Sequence, residues 1–502
     1  MQITALGHSC VLLDLADPHT GEPTRILCDP WLSDHATGDG MGRFPRLRFD
    51  ADALGPIHGV FISHAHSDHL DPYTLLRLWR ELAEPPVLLL PVSLSFLLPL
   101  LREYLQPLEV VVLEPHVPTA FRGVELLGIY DIGQQPTNED DVMVLVASNG
   151  PEVVLVEADA RLSLEQPDLR AYVSQLLRAP GVTSAVYLTT ENELDSTMGA
   201  RLCRTVHERG DVLEDGTNLL LESAYELYDD VGDPDDLWHG AHVLRLLHGQ
   251  GLAAPAELDP RWQHILFPIR IDHRVEEERA AAERSGLAVA IDRLTDGATH
   301  EVVGGRVVSR APVEGLTLLD QEADRAFDPV LPFFPDLPCA PLRADLRDVD
   351  AQRARIQALL DDRFLPYLHG LRMPPVLHLL AAYGGAYRVR VHFGAGDGPV
   401  YDYVLGFGAR GFVEHPASDD EPQEAYWAND LDDVLAGLCD EFSPFCRRQL
   451  PAEHMQLWSC LAMPLLNADL VAKRVGLHFE RAREGLTPGS FVLPRYRESA
   501  GP

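Results

Sequence analysis

Between Val60 and Asp71 the chain reads VFISHAHSDHLD. The apolar run Gly59 to Ser63 has the pattern of a short buried strand, and it delivers His64, His66, Asp68 and His69 into a turn before a helix begins near Pro72. Three imidazoles and a carboxylate in so short a span form a metal-ligand set. His64 and His66, two residues apart on an extended or tightly turned segment, face one side and suit one ion; Asp68 and His69 are offset toward a second.

These residues resemble the His-x-His-x-Asp-His signature of the metallo-β-lactamase superfamily. The resemblance implies an α/β (α+β) fold, an αββα sandwich with a dinuclear centre at the edge of its two sheets. It also implies ligands from elsewhere in the chain. Superfamily hydrolases usually supply a third histidine to the first metal, and none occurs between His116 and His207. Asn138-Glu139-Asp140-Asp141 stands there instead, directly before an expected strand Val142 to Ala147. Glu139 is the expected substitute ligand, with Asp140 and Asp141 as competitors. Asp159, just beyond the strand Glu152 to Val156, resembles the aspartate that bridges the two metals.

The elements that must position these groups are read from the same patterning. Gln2 to Leu15 forms an opening hairpin around Gly7, whose His8 either reaches the site or serves as a structural hydrogen-bonding group. Asp29, after the strand Thr24 to Cys28, either accepts the free N–H of a ligand histidine or merely shapes an Asp-Pro turn. The run His264 to His273 is expected to close the sandwich as a strand, with His273 at its end as the last ligand of the second metal and His239, His242 and His264 competing. The expected metal set is thus His64, His66, Asp68, His69, Glu139, Asp159 and His273, with Asp159, Glu139 and Asp68 carrying the chemistry.

At 502 residues the chain exceeds one ordinary core. The expected division is a metal-binding domain over 1–310, a Pro-rich linker over 311–341 and an α+β domain over 342–502. Helices are expected at Ala351 to Phe364, Leu431 to Phe442 and Met455 to Leu466, with paired strands at Tyr387 to Phe393 and Val400 to Phe407. No ligand cluster appears among them, so this domain is expected to supply a substrate wall, a lid or a homodimer surface. The longest apolar candidate, Val87 to Leu101, is broken by Pro91 and Pro99, and the N-terminus lacks a leader pattern; a cytoplasmic protein without membrane partners is expected. Seven scattered cysteines without a Cys-x-x-Cys pair read as reduced core residues. A formal charge of −36 disfavours nucleic acid as a partner.

Within the superfamily the chain resembles the CMP-N-acetylneuraminate hydroxylase-like branch: CVLLDL, DPWL followed by Gly38, Gly40 and Gly42, ISHAHSDHLDPYTL, Glu139, Asp159 and the Trp427 to Leu435 segment carry the likeness. The Rieske domain of that branch is not matched, since the chain holds no Cys-x-His pair. At the metal site it resembles the diiron β-hydroxylase of chloramphenicol biosynthesis, where a glutamate replaces the missing histidine. That likeness implies two iron ions, O2 as cosubstrate, a small or carrier-protein-bound substrate and an external reductase. A carboxylate in place of imidazole makes a site harder and favours iron over zinc. The alternative is a hydrolase with two zinc or manganese ions, whose bridging water attacks an ester, lactone, thioester or phosphoester. Arg43, Arg46, Arg48, Arg161 and Arg270 either hold an anionic substrate or are ordinary surface arginines.

Overall fold

A computed structural model describes residues 1–36, 42–130, 142–159, 167–190, 240, 242–253, 271–284, 286–320, 341–370, 385–394, 398–420, 422–441, 443–444 and 456–486. Two mixed sheets form its centre. The first, of eight strands, runs in the order Arg306–Pro312, Ala298–Val303, Gln2–Gly7, Cys10–Ala16, Pro23–Cys28, Gly59–Phe61, Val87–Pro91 and Val110–Leu113. Its first five strands are antiparallel and its last four, counting Pro23–Cys28 in both groups, are parallel. The second sheet, of seven strands, runs Ala290–Arg293, Val243–His248, Ser184–Thr190, Glu152–Val156, Met143–Ser148, Val124–Tyr130 and Thr119–Phe121.

The two sheets pack face to face. Ile3, Val11, Leu13, Ile26 and Phe61 of the first meet Leu126, Met143, Leu145, Val156, Leu188 and Leu246 of the second in one buried core. Helices cover the outer faces: Pro72–Glu81 and Leu98–Tyr104 on the first, Pro167–Leu177 on the second. This is the αββα layering of the metallo-β-lactamase fold. Strands such as Val87–Pro91 are nearly continuous apolar runs because both of their faces are covered.

The sandwich extends further than the sequence pattern indicates. Arg306–Pro312 crosses the expected boundary at 310, Leu316–Leu318 pairs antiparallel with Leu47–Phe49, and Arg46 holds Asp320 at 2.7 Å. The expected closing strand ending at His273 is also corrected. Ile271–Arg284 is a helix, so His273 lies in its first turn; residues 264–270 lie outside the described residues. The run Glu276 to Arg284, rich in Glu, Ala and Arg, carries helix propensity that outweighs the β-branched lead-in.

The C-terminal region builds a four-stranded sheet, Val413–Pro416, Val400–Gly406, Ala386–His392 and Glu424–Trp427, over its own core of Phe364, Tyr387, Val389, Tyr403, Tyr426 and Leu431. Its last described helix, Ala468–Arg483, does not belong to that core. Val471, Val475 and Phe479 join the outer core of the first sheet with Leu75, Leu97 and Leu101, and Phe479 stacks on Tyr104 with ring centroids 4.9 Å apart. The sandwich therefore borrows a covering helix from the end of the chain. Among the described residues no helix is long and apolar enough to cross a membrane.

Candidate metal centre

The strand Gly59–Phe61 stops after three buried residues and the chain folds back on itself: the N–H groups of His69 and Leu70 both bond the His66 carbonyl, at 3.1 and 2.8 Å. Asp71 then caps the helix Pro72–Glu81, accepting from the Tyr73 and Thr74 amides at 3.1 and 3.3 Å, with Pro72 at the first helical position. Ser63 to Asp71 is buried throughout. A polar segment this dry must have its groups satisfied or charged for a purpose.

His64 and His66 each commit their far nitrogen to the protein. Nδ1 of His64 lies 2.9 Å from Ser63 Oγ, whose own proton goes to Asp29 Oδ2 at 2.8 Å, so the imidazole donates there. Nε2 of His66 donates to the Ala462 carbonyl at 3.0 Å. What remains is His64 Nε2 facing His66 Nδ1 at 2.8 Å, two lone pairs that a shared cation relieves. Burial, helped by the charges of His69 and His66, holds His64 well below the usual imidazole range, in the neutral form that ligates metals.

The second donor set adjoins the first. His69 gives Nδ1 to Asp29 Oδ2 at 3.0 Å and sets Nε2 2.9 Å from Asp159 Oδ2 and 3.7 Å from Asp68 Oδ2. His8 Nε2 stands 2.9 Å from Asp68 Oδ2. Burial opposes the charge on His69, yet Asp159, Asp68 and Asp29 outweigh it and hold the ring well above its ordinary pKa; a metal ion here replaces that proton. Burial likewise pushes Asp159 and Asp68 up, and the histidines around them, His69 first and then His8 for Asp68 and His64 for Asp159, more than reverse it, so both carboxyls are lowered. Two groups of converging donors result, His64–His69–Asp159 and His8–Asp68–His69, each with its ligand atoms within 4.8 Å of one another. The donors fit a pair of metal ions.

Strand ends of both sheets meet at this edge, and four non-glycine residues there adopt positive φ: His8 at 54°, Asp29 at 44°, Ala158 at 53° and Gln250 at 56°. Such conformations are costly and concentrate where a side chain must be aimed. Ala158 turns the chain immediately before Asp159, and His8 turns it at the tip of the opening hairpin.

Of the expected ligands, His64, His66, Asp68, His69 and Asp159 come together. Glu139 lies outside the described residues; the Met143 amide, just downstream, bonds the Ser63 carbonyl at 3.1 Å. His273 has its backbone in a helix and its side chain outside the described residues. His248 was not among the expected competitors, yet it ends the strand Val243–His248 beside His8: its Nδ1 donates to the His8 carbonyl at 3.0 Å and its Nε2 lies 3.2 Å from Thr190 Oγ1. Burial holds it neutral, down to about 4. Its signal was available, since VLRLLH is an apolar strand ending in histidine just as GVFISH is.

The reading of Arg43 and Arg46 as substrate-binding groups is corrected. Arg43 is buried and spends its guanidinium on the carbonyls of Leu6, Trp31 and Pro45, and Arg46 is occupied by Asp320. Arg161 and Arg270 lie outside the described residues.

The C-terminal region meets the motif directly. Ser67 Oγ donates to Asp440, the Ala462 carbonyl takes the His66 proton, and Arg474 donates to the Ala65 carbonyl at 2.7 Å and to Glu441 at 3.1 Å. Burial, with Glu441 alongside and Arg474 opposing, pushes Asp440 up to about 7.

Fold and donors define an α/β protein of the metallo-β-lactamase fold in which histidine and carboxylate groups of a kind that can hold metal ions converge in two sets at the sheet edge. No family model matches the chain. A protein described as a Rieske 2Fe-2S iron-sulfur protein from Mycolicibacterium smegmatis is 33% identical over 108 residues, 22% of this chain and 18% of that protein. One of the same description from Mycobacterium tuberculosis is 32% identical over 108 residues, 22% of this chain and 19% of that one. The chain thus matches about a fifth of the length of these curated relatives. Similar solved structures include CmlA, a diiron β-hydroxylase from Streptomyces venezuelae, at 18% identity and TM-score 0.34, covering 60% of this chain and 54% of that one. The metallo-β-lactamase fold protein YhfI from Bacillus subtilis matches at 12% identity and TM-score 0.31, covering 60% of this chain and 99% of that one.

Proposed function

We propose that this chain is a dinuclear-metal enzyme, and specifically a non-haem diiron oxygenase that hydroxylates or N-oxygenates a small metabolite or carrier-bound amino acid. The observation that carries the reading is the make-up of the first donor set. Among the described residues, the group that joins the imidazoles of His64, His66 and His69 at their open nitrogens is a carboxylate, Asp159, 3.8 Å from His64 Nε2. A carboxylate in the set makes it harder and suits iron better than an all-imidazole set would. Glu139 remains the proposed further ligand of this ion.

When bound, the metal pair supplies the activation of O2. The protein's own groups prepare the place for it. Asp29 and Ser63 draw the protons of His64 and His69 to the far side of each ring, leaving Nε2 of both directed at the site. Asp159 offers Oδ2 between the two donor sets, and Asp68 offers Oδ2 to the second with His8 behind it. His8 or His248 takes the place proposed for His273. The edge of Trp31 lies against His8 with ring centroids 5.2 Å apart and, being fully buried, excludes water from that side. With no Cys-x-His pair in the chain, electrons come from a separate reductase.

A hydrolase is favoured by a different observation: the second donor set is imidazole-rich, with His8 and His69 around Asp68 and His248 adjoining, which suits zinc. Elemental analysis of protein expressed with iron supplementation and purified without chelator, followed by visible spectra with and without peroxide, separates the two. About two irons per chain with a visible band supports the oxygenase. Zinc retained at that ratio despite abundant iron overturns it and directs assays to esters, lactones and thioesters.

A further inference from the structure

We propose that the C-terminal domain is a working part of the metal centre, in which Glu441 and Arg474 are positioning residues that hold His66 with Nδ1 presented to a metal ion. This rests on the metal-centre reading above but not on the choice between iron and zinc. Three consecutive motif residues, Ala65, His66 and Ser67, are each bonded by a group some four hundred residues away in sequence: Arg474, Ala462 and Asp440.

The chemistry of the contact points to the metal. A ligand imidazole needs its second nitrogen protonated and fixed, and the Ala462 carbonyl, which only accepts, does this for Nε2. Glu441 stands beside the same nitrogen, Oε1 3.8 Å from His66 Nε2, with its side chain 6% exposed. Among the described residues that oxygen has no hydrogen-bond partner, while Oε2 is held by Arg474 at 3.1 Å. An uncompensated buried carboxylate oxygen is costly. A cation on Nδ1 draws density from the ring and makes Nε2–H more positive, which gives Glu441 its missing complement. Arg474 ties both ends together, aiming Glu441 with one nitrogen and pinning the backbone between the two ligand histidines with the other.

The test uses full-length protein stripped of metal, titrated with Co2+ under competition, with visible spectra and thermal melts of the metal-free form recorded in parallel. Glu441→Gln keeps the shape and removes the charge; Arg474→Lys keeps a charge but cannot span both partners. Each is expected to weaken the tightest Co2+ site by about 10–100-fold and to alter its visible bands, with Glu441→Asp recovering part of the loss. Arg353→Gln, which breaks the Arg353–Glu414 pair between the helix Val349–Leu359 and the strand Val413–Pro416, serves as the control and leaves Co2+ binding unchanged. The proposal is overturned if Glu441→Gln and Arg474→Lys bind Co2+ as the unmodified protein does, or if their loss only tracks a fall in metal-free melting temperature. His64→Ala separates the two levels. If it abolishes binding while Glu441→Gln does not alter it, only the role of the C-terminal domain falls; if His64→Ala changes nothing, the metal-centre reading falls and this one with it.

Discussion

Asp159 Oδ2 lies 2.9 Å from His69 Nε2, and the same oxygen is 3.8 Å from His64 Nε2. One carboxylate oxygen therefore faces two histidines, one of which, His69, belongs to both groups of converging donors. Asp159→Asn removes the charge with little change in volume. We expect metal content to fall from about two ions per chain to about one or fewer, with activity reduced by more than about a hundredfold. Elemental analysis of the purified variant checks the first and tells loss of a metal from loss of fold.

His8 is held from behind by Gly251. A Cβ built on Gly251 would come within 2.4 Å of His8 Cβ and 2.6 Å of its backbone nitrogen, so the two segments touch backbone to backbone. Gly251→Ala is therefore expected to displace the His8 turn and loosen its 2.9 Å contact with Asp68. Occupancy of the second metal should drop by about tenfold or more while the first is retained, read as a biphasic metal titration that loses its weaker phase.

For the last position on the proposed second metal we expect His248 rather than His273. His248 ends a strand of the second sheet in register with Thr190, whereas His273 begins a helix. His248→Ala is expected to weaken the second metal by about tenfold or more, and His273→Ala to leave both metals in place. The reverse result, measured by the same titration, would return the ligand to His273.

What was legible in the sequence follows from distance along the chain. His64, His66, Asp68 and His69 sit on one strand and one turn, so period and composition sufficed; Asp159 follows an apolar strand and could be placed by its position after it. The sandwich strands were similarly local, and Glu152–Val156 has the expected bounds. That His8 and His248 stand side by side, and that Asp440, Ala462 and Arg474 reach the motif, depends on which strand ends and domains meet, which no local pattern encodes. The helix Ala468–Arg483 illustrates this: Val471, Val475 and Phe479 recur every four residues, but nothing in that spacing says that the face covers a sheet begun at residue 2. The strand expected to end at His273 is a helix from Ile271 on, because the β-branched stretch was weighed without the Glu- and Ala-rich run after it.

That helix carries a titratable group at its contact with the sandwich. His478 is fully buried, its Nδ1 lies 3.0 Å from the Tyr73 hydroxyl, and Arg474 and Arg481 of its own helix lie near it. Burial first, then the two arginines, lower its pKa from 6.5 to about 3. The sign follows from the two states. Above pH 6.5 neither folded nor unfolded chain protonates this ring, and its contribution to stability is intact. As pH falls below 6.5 the unfolded chain takes a proton that the folded one refuses, so stability declines until the pH approaches 3. At about 1.4 kcal/mol per pH unit the decline between pH 6.5 and 5 is about 2 kcal/mol. His478→Gln keeps a polar partner for Tyr73 and does not titrate. Urea unfolding at pH 7 and pH 5 should therefore show the unmodified protein losing about 2 kcal/mol more than the variant over that interval. Equal losses in both would mean that His478 takes up its proton in place and that the helix does not seal the ring from water.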